Sequence, residues 1–416
     1  MTTAERARSS RASKTAPLAA AFNPRSNSIG FLRFAFAATV LLNHALILGG
    51  FASDDPLMFW SHGQISFASM AVDGFFVLSG YLITRSYMSS PSPARYLWRR
   101  FIRIFPAFWV CLVVTALVCA PIALLHERGN LDGANWFGAE SPVSYVLRNG
   151  FLTMNQWNIW HLLSSVPLTR MEAQFGVSAG ANALDRSLWT LRYEWDSYLL
   201  VAVAGALGVL GRRRIGAVVF AIFLATSLLV SVVAPDWLGH LPKGVAMHAI
   251  FGDYERLRLW FLFVVGALMY LYGQRIPMRW SYGLVATAIL IASLSFGGYE
   301  VWGRVAFAYI CMWLAVYLPI RRFDSHGDFS YGLYIYGWLV AQMLAVFNVY
   351  EFGPIVFLVI SMLIALAFAV ASWFLVEAPA QRLKSVSMPN VHLVLLPDRL
   401  AVRVRQLSVV LHELVP

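Results

Sequence analysis

Charge is what this chain lacks most. Of 416 residues, Asp, Glu, Lys and Arg together make up 13%, against 59% hydrophobic residues. A soluble domain carries about 25% charge, so an ordinary soluble fold is excluded and a polytopic membrane protein is indicated. Acidic residues are the scarcer sign, 21 against 32 Lys and Arg, for a formal net charge of +11. Nucleic-acid binding would need those cations gathered on a basic soluble domain, and none is visible. In a membrane chain the excess first marks cytoplasmic loops. Cysteine is also rare. Cys111, Cys119 and Cys311 all sit in apolar runs, with no disulfide framework and no metal-ligand spacing, so no metal is expected. There is no internal repeat, no low-complexity tract and no appended soluble catalytic domain. The one apolar patch near the start, Ala16 to Phe22, is short for a signal peptide and is followed by Pro24 and Arg25.

What the chain does have is apolar runs, near 29–50, 66–88, 104–125, 187–209, 215–234, 257–272, 281–298, 303–320, 330–350 and 355–376. Each approaches the length of a membrane-crossing helix, so the expected fold class is all-α, a polytopic membrane protein of about ten transmembrane helices. Basic residues orient it. Arg95, Arg99, Arg100 and Arg103, then Arg212 to Arg214, Arg275 with Arg279, and Arg321 with Arg322 alternate with short loops that hold little Lys or Arg. Both termini are therefore expected in the cytoplasm. Residues 1–27, with Arg6, Arg8, Arg11, Lys14 and Arg25, read as a disordered basic cytoplasmic tail. Residues 28–384 read as the membrane domain. Residues 385–416 read as a cytoplasmic tail, either an amphipathic helix on the inner leaflet or a weakly ordered end. One outer loop, 126–186, is long, and loops of that length are functional or disordered more often than not. Its Trp136, Tyr145, Trp157 and Trp160 suit sugar stacking, an interfacial belt or a local core.

The first run holds Arg33 and His44, eleven residues apart. At about 100° and 1.5 Å per residue they share one helix face roughly 16 Å apart along the axis. Ionisable groups inside a span face a cavity or a partner, although Arg33 could instead snorkel and His44 could make a single interhelical bond. In the second run, Asp73 lies twelve residues before Arg85, about 18 Å up the helix, nearly level with His44. A carboxylate there either orients the imidazole or forms a helix–helix ion pair. Glu194 lies about 10 Å inside the outer end of the fourth run, again near that level. Arg99, Arg100 and Arg103 form a cationic cluster at the cytoplasmic surface, suited to phosphate groups or simply to anchoring. Glu377 would pair with an inner arginine or cap the bundle. Tyr331, Tyr334 and Tyr336 would line a path or anchor the interface.

Taken together these stretches resemble acyltransferase family 3, the integral-membrane acyltransferases of bacterial surface and secreted glycans. The resemblance rests on Arg33-x10-His44, VDGFFVLSGYLIT at 72–84, WRRFIRIFP at 98–106, SLWTLRYEWDSY at 187–198, FSYGLYIYGW at 329–338 and FLVEAP at 374–379. It covers about residues 27–384. It implies a ten-helix fold in the bacterial inner membrane, with acyl-CoA, commonly acetyl-CoA, as cytoplasmic donor substrate. A glycan or glycolipid hydroxyl would be the acceptor. By the same resemblance His44 matches the essential histidine and Arg33 its paired arginine. Arg100 and Arg103 match the cytoplasmic Arg-x-x-Arg pair. Two positions depart from the pattern. Trp195 stands where many members have a second glutamate, and Gly337 where many have a histidine.

The expected activity is O-acyl transfer. His44 would be general base or acyl carrier, Asp73 or Glu194 its acidic helpers, and Arg33, Arg99, Arg100 and Arg103 the donor-binding cations. The alternative is a transporter or exporter that uses the buried charges as a substrate or proton path. The absence of repeats and of Gly/Pro-broken half-helices argues against it.

Overall fold

The apolar runs become helices because each can satisfy its backbone internally, and their ends are set by local caps. The computed structural model describes residues 16–52, 55–170, 183–211, 214–233 and 253–385. The basic stretch 1–15, Arg212, Arg213 and the tail 386–416 lie outside the described residues. Helix α1 is Ile29–Leu48, α2 is Phe67–Ser89, and α3 runs Pro93–Arg128 through a π-helical turn at Thr115–Cys119. A short α4, Pro142–Asn149, lies in the long loop. Then come α5 (Thr190–Ala206), α6 (Arg214–Val233), α7 (Tyr254–Leu271), α8 (Trp280–Phe296) and α9 (Arg304–Tyr317). Last are α10 (Ser330–Val346) and α11 (Pro354–Arg382), the latter with a π-helical turn at Trp373–Glu377.

The chain is 75% helix with no strand among the described residues. Ser66 Oγ caps α2 by accepting from Ser69 N at 3.0 Å. Asp253 caps α7 in the same way through Glu255 N at 3.1 Å. Gly129, at φ 78°, closes α3 in the left-handed conformation that glycine adopts without strain.

Among the described residues four helices, α1, α2, α3 and α11, are long and apolar enough to cross a membrane. Helix α11 shows why water is not the solvent. Its inward face holds Phe357, Ser361, Ala365 and Ala369, while Ile355, Val359 and Leu363 on the other face are exposed. A helix in water would carry polar residues there; one in hydrocarbon need not. The described residues to Lys384 form one compact unit. Residues 16–27, expected as part of a disordered tail, pack instead against the turn after α7. Leu18 is buried and its N–H donates to the Ile276 carbonyl at 2.7 Å.

The closest helix contact is between α2 and α7. A Cβ at Gly80 would stand 2.0 Å from the Phe263 carbonyl oxygen, and one at Gly266 would stand 2.1 Å from that of Val77. The two backbones meet through reciprocal glycines, as close packing without a hydrophobic driving force requires. Gly80→Ala or Gly266→Ala must therefore push α2 from α7. Each is expected to destabilise the detergent-solubilised protein by about 3 kcal/mol or more, read as loss of monodisperse, thermally stable material. Gly211→Ala, whose Cβ would meet nothing nearer than 3.9 Å, is the neutral control.

Candidate active site

A cavity of about 110 Å³ lies where α1, α2, α3, α5 and α10 converge. Its wall includes Arg33, Arg100, Arg103, Glu194, Tyr331 and Tyr334. Four residues singled out on three runs of the sequence, Arg33, Arg100, Arg103 and Glu194, thus share one space, so Glu194 lies with the arginines and not at the level of His44. Arg99, Asp73 and His44 do not line it.

The arginines are not equivalent. Asp328, just ahead of α10, uses one carboxylate oxygen for two of them. Arg33 Nη1 lies 2.5 Å from Asp328 Oδ2, and Arg103 Nη2 lies 2.6 Å from the same atom. Arg103 Nη1 also donates to Glu377 Oε2 at 2.9 Å. The other Asp328 oxygen accepts from the Ser330 hydroxyl and, at 3.3 Å, from the Ser330 amide. Burial works to raise the Asp328 carboxyl, but the guanidinium groups of Arg33 and Arg103 and the Ser330 hydrogen bonds prevail. They hold it well below the usual carboxylate range. Arg100 has no such anion. Its guanidinium lies 5.9 Å from the Tyr198 ring centre, and its Nε is buried without a hydrogen bond. The Tyr198 hydroxyl donates to Glu194 Oε1, so Arg100, Tyr198 and Glu194 form one row on the cavity wall. Thr190 Oγ1 and the Tyr334 hydroxyl are 2.7 Å apart at the row's far end. Tyr336, also considered for the path, packs on Phe368 instead.

His44 stands further along α1. Its ring meets Trp338 edge-on at 4.8 Å, and its Nδ1 is buried without a hydrogen bond. Trp338 Nε1 donates to the Ala183 carbonyl at 3.1 Å, which brings the end of the long loop to this level. Two residues on, Asp185 is fully buried. It accepts from Ser187 N at 3.0 Å, from Ser187 Oγ at 2.7 Å and from Cys111 Sγ at 3.5 Å. Burial pushes its carboxyl up to about 7 against those bonds.

The expected pairing of Asp73 with His44 is not made. Asp73 is fully buried, but Oδ2 lies 3.0 Å from the Tyr299 hydroxyl and 3.3 Å from Arg304 Nε, and Oδ1 lies 3.4 Å from Arg258 Nε. The causes are depth and azimuth: the neighbour of Asp73 on α2, Gly74, meets Phe36, eight residues before His44 on α1. A Cβ at Gly74 would collide with the Phe36 ring of α1, so Gly74 marks the face of α2 that packs on α1. Asp73 is about 100° round the helix and points to α7 and α9. Sequence reasoning missed Arg258 and Arg304, which read as charges at span ends, and Asp328 and Asp185, which lie in loops. Asp185-x-Ser187 ahead of an apolar run is the one local signal, a turn-forming pair that leads into α5.

The two departures from the family pattern have packing roles. Trp195 meets the Phe105 ring edge-on at 5.2 Å. A Cβ at Gly337 would stand 3.2 Å from Leu41, so a larger side chain there presses on α1.

The chain matches the model of an acyltransferase domain over residues 26–374. It is 28% identical over 370 residues to an O-acetyl transferase of Shigella phage Sf6, covering 85% of this chain and 95% of the relative. It is 26% identical over 381 residues to nodulation protein 10 of Rhizobium leguminosarum bv. viciae, covering 86% and 94%. A relative in Bacillus subtilis (strain 168) named for peptidoglycan O-acetylation is 26% identical over 359 residues, 77% of this chain and 51% of that one. No solved structure matches.

Arg103 and Arg100 should fail differently. Arg103→Ala leaves the buried Glu377 without its cation and takes one of two from Asp328, a loss of about 3–5 kcal/mol in stability. Arg100→Ala breaks no ion pair and should cost about 1 kcal/mol or less. Thermal unfolding of the two purified variants separates these outcomes; equal losses would mean that the arginines are equivalent after all.

Proposed function

The chain belongs to the acyltransferase family whose domain model it matches, and from that premise we propose that it transfers an acyl group, most simply acetyl, from cytoplasmic acyl-CoA to a glycan or glycolipid hydroxyl. That it is an O-acyltransferase and a multi-pass membrane protein follows from the family and the apolar helices. The name of the Bacillus subtilis relative, a peptidoglycan O-acetyltransferase, supports a glycan-type acceptor. The observation that carries the donor assignment is the cavity. Three arginines from two helices meet in it, and one of them, Arg100, makes no ion pair with a carboxylate among the described residues. An acyl-CoA brings several phosphate charges to such a site.

In this reading the nucleotide phosphates meet Arg100, with Arg33 and Arg103 fixed beside it by Asp328. The pantetheine arm then runs along α1 over the roughly 16 Å rise from Arg33 to His44. His44 takes the proton of the acceptor hydroxyl as its oxygen attacks the thioester carbonyl. The tetrahedral adduct expels the CoA thiolate, and the imidazolium returns the proton to that sulfur. In the covalent variant the ring nitrogen attacks the thioester carbonyl and expels the CoA thiolate. The acceptor hydroxyl oxygen then attacks the acyl-imidazole, displacing the ring nitrogen, which leaves as neutral imidazole while the hydroxyl proton goes to the thiolate. The buried Nδ1 of His44, which makes no hydrogen bond, is the atom to which this reading assigns the proton. Glu194, held by Tyr198, is a wall residue of the donor path. Asp73 serves the packing of α2, α7 and α9 and does not act on His44.

The topology that fits is ten membrane crossings in the bacterial inner membrane with both termini in the cytoplasm. Residues 28–384 form the membrane domain, with 16–27 packed against it. Thiol labelling of single cysteines placed near either terminus of intact cells tests it; labelling from outside would reverse the orientation.

For the chemistry, His44→Ala should lower transfer of radiolabel from acetyl-CoA into membrane glycan by roughly two to four decades at equal protein level. Undiminished labelling would remove His44 from the mechanism.

A further inference from the structure

Beyond the arginines of the cavity, a lysine just after the last helix stands in the same field. Leu383–Ser385 form a 3-10 turn after α11. Trp98 Nε1 donates to the Leu383 carbonyl at 3.2 Å, which ties this turn to α3 one residue before Arg99. Lys384 Nζ donates to Gln381 Oε1 at 2.8 Å, so the ammonium is held rather than free to swing into solvent. The charges that bear on it are Arg99, Arg100 and Arg103 from α3 and the Asp328 carboxylate from the segment ahead of α10.

The acids at this end are already committed. Asp328 Oδ2 is shared by Arg33 and Arg103, and Glu377 is paired with Arg103. Among the described residues no carboxylate closes an ion pair with Arg99, Arg100 or Lys384. Partial burial and the three arginines bring the Lys384 ammonium down to about 8. Cations gathered without counter-charge repel one another, and an anion bearing several charges relieves that repulsion on binding.

We propose that Lys384 is a donor-binding residue, which joins Arg99 and Arg100 in a cationic rim that takes the phosphates of the nucleotide end of the donor and makes donor affinity depend on pH. The proposal rests on acyl-CoA being the donor. The sign comes from the lysine. Its charge is present below about 8 and lost as pH rises through that value, so the affinity it contributes is present in neutral solution and fades in alkaline solution. A bound phosphate favours the charged form and shifts the loss to higher pH.

The test is calorimetric titration of CoA, which binds without reacting, into the full-length protein in detergent at about pH 6.5 and about pH 9.5, either side of the lysine's titration. Wild-type affinity should fall by about tenfold across that interval, the weight of one charge-assisted contact. Lys384→Gln should bind about tenfold more weakly at the lower pH and change little with pH. Lys384→Arg should keep the low-pH affinity and lose most of the pH dependence. Pantetheine, which has no phosphate, should not distinguish the three proteins. A Lys384→Gln protein with wild-type affinity and slope would overturn the proposal. So would a Lys384→Arg protein that keeps the full wild-type slope, and this arm decides if the glutamine variant does not fold. Failure of the wild-type protein to bind CoA at either pH is a different result: it overturns the donor assignment itself.

Discussion

Asp328 is the residue on which the geometry of the cavity depends. One of its oxygens holds guanidinium groups from two helices, Arg33 of α1 and Arg103 of α3, while the other is fixed by Ser330 at the start of α10. Three helices are thereby joined at one carboxylate in a setting where an unpaired charge costs several kcal/mol. Glu377 adds α11 through Arg103, and it does so from the last position of a π-helical turn. Such a turn inserts a residue into the helical repeat and re-aims the side chains beyond it, a recurrent device at functional sites. The consequence is a division of labour. Arg33 and Arg103 are consumed by the fold, and Arg100, one turn from Arg103, is left for something from outside.

The same accounting separates a second ionic centre from the first. Around Asp73, Arg258 and Arg304 are matched by Glu255 and Glu300, and the hydroxyls of Tyr254 and Tyr299 join the network. Arg304 is among the most buried large side chains in the molecule. Each arginine in this centre has carboxylates within reach. The network holds α2, α7 and α9 together, away from the contact between α2 and α1. A buried network whose charges are matched internally specifies one packing. The group of Arg99, Arg100 and Lys384, which closes no ion pair with a carboxylate among the described residues, is the one the donor proposal assigns to a ligand.

Much of this was legible in the residues themselves. The apolar runs fall on helices, and Arg33, Arg100 and Arg103 do meet in one space, but Glu194, read near the level of His44, lies with those arginines instead, where Tyr198 holds it. Depth counted from assumed span ends is one source of error, and direction round the helix is another. Asp73, also read near the level of His44, lies beside Gly74, which meets Phe36 eight residues before His44 on α1, and it faces away from α1. Its direction is decided by the contact of Gly74 with Phe36, a tertiary fact invisible to helical counting. Asp328 and Asp185 were missed for a related reason. Both lie in connections, where no periodicity fixes direction, and both act by reaching into a bundle that the chain has just left or is about to enter. Lys384 falls one residue short of the stretch read as a cytoplasmic tail, either amphipathic or weakly ordered.

The two departures from the family pattern narrow the chemistry in a way that pattern matching does not. A second acid beside Glu194 is replaced by Trp195, and the indole fills a contact with Phe105 on α3, so that position has become part of the wall's support. A histidine in α10 is replaced by Gly337, and the room has been taken by Leu41 of α1, three residues before His44. The absence of that side chain lets α1 lie closer to α10 at the level where Trp338 meets the His44 ring. In the proposed reaction the proton transfer at this level therefore falls to His44, steadied by an aromatic edge in place of a second imidazole. Asp185 lies two residues beyond the carbonyl that holds Trp338, and its hydrogen bonds to Ser187 and Cys111 turn it toward the loop and α3. Its part is to fix the stretch of loop that carries Ala183 against Trp338, so the orientation of the His44 ring is inherited from the long loop as well as from α1.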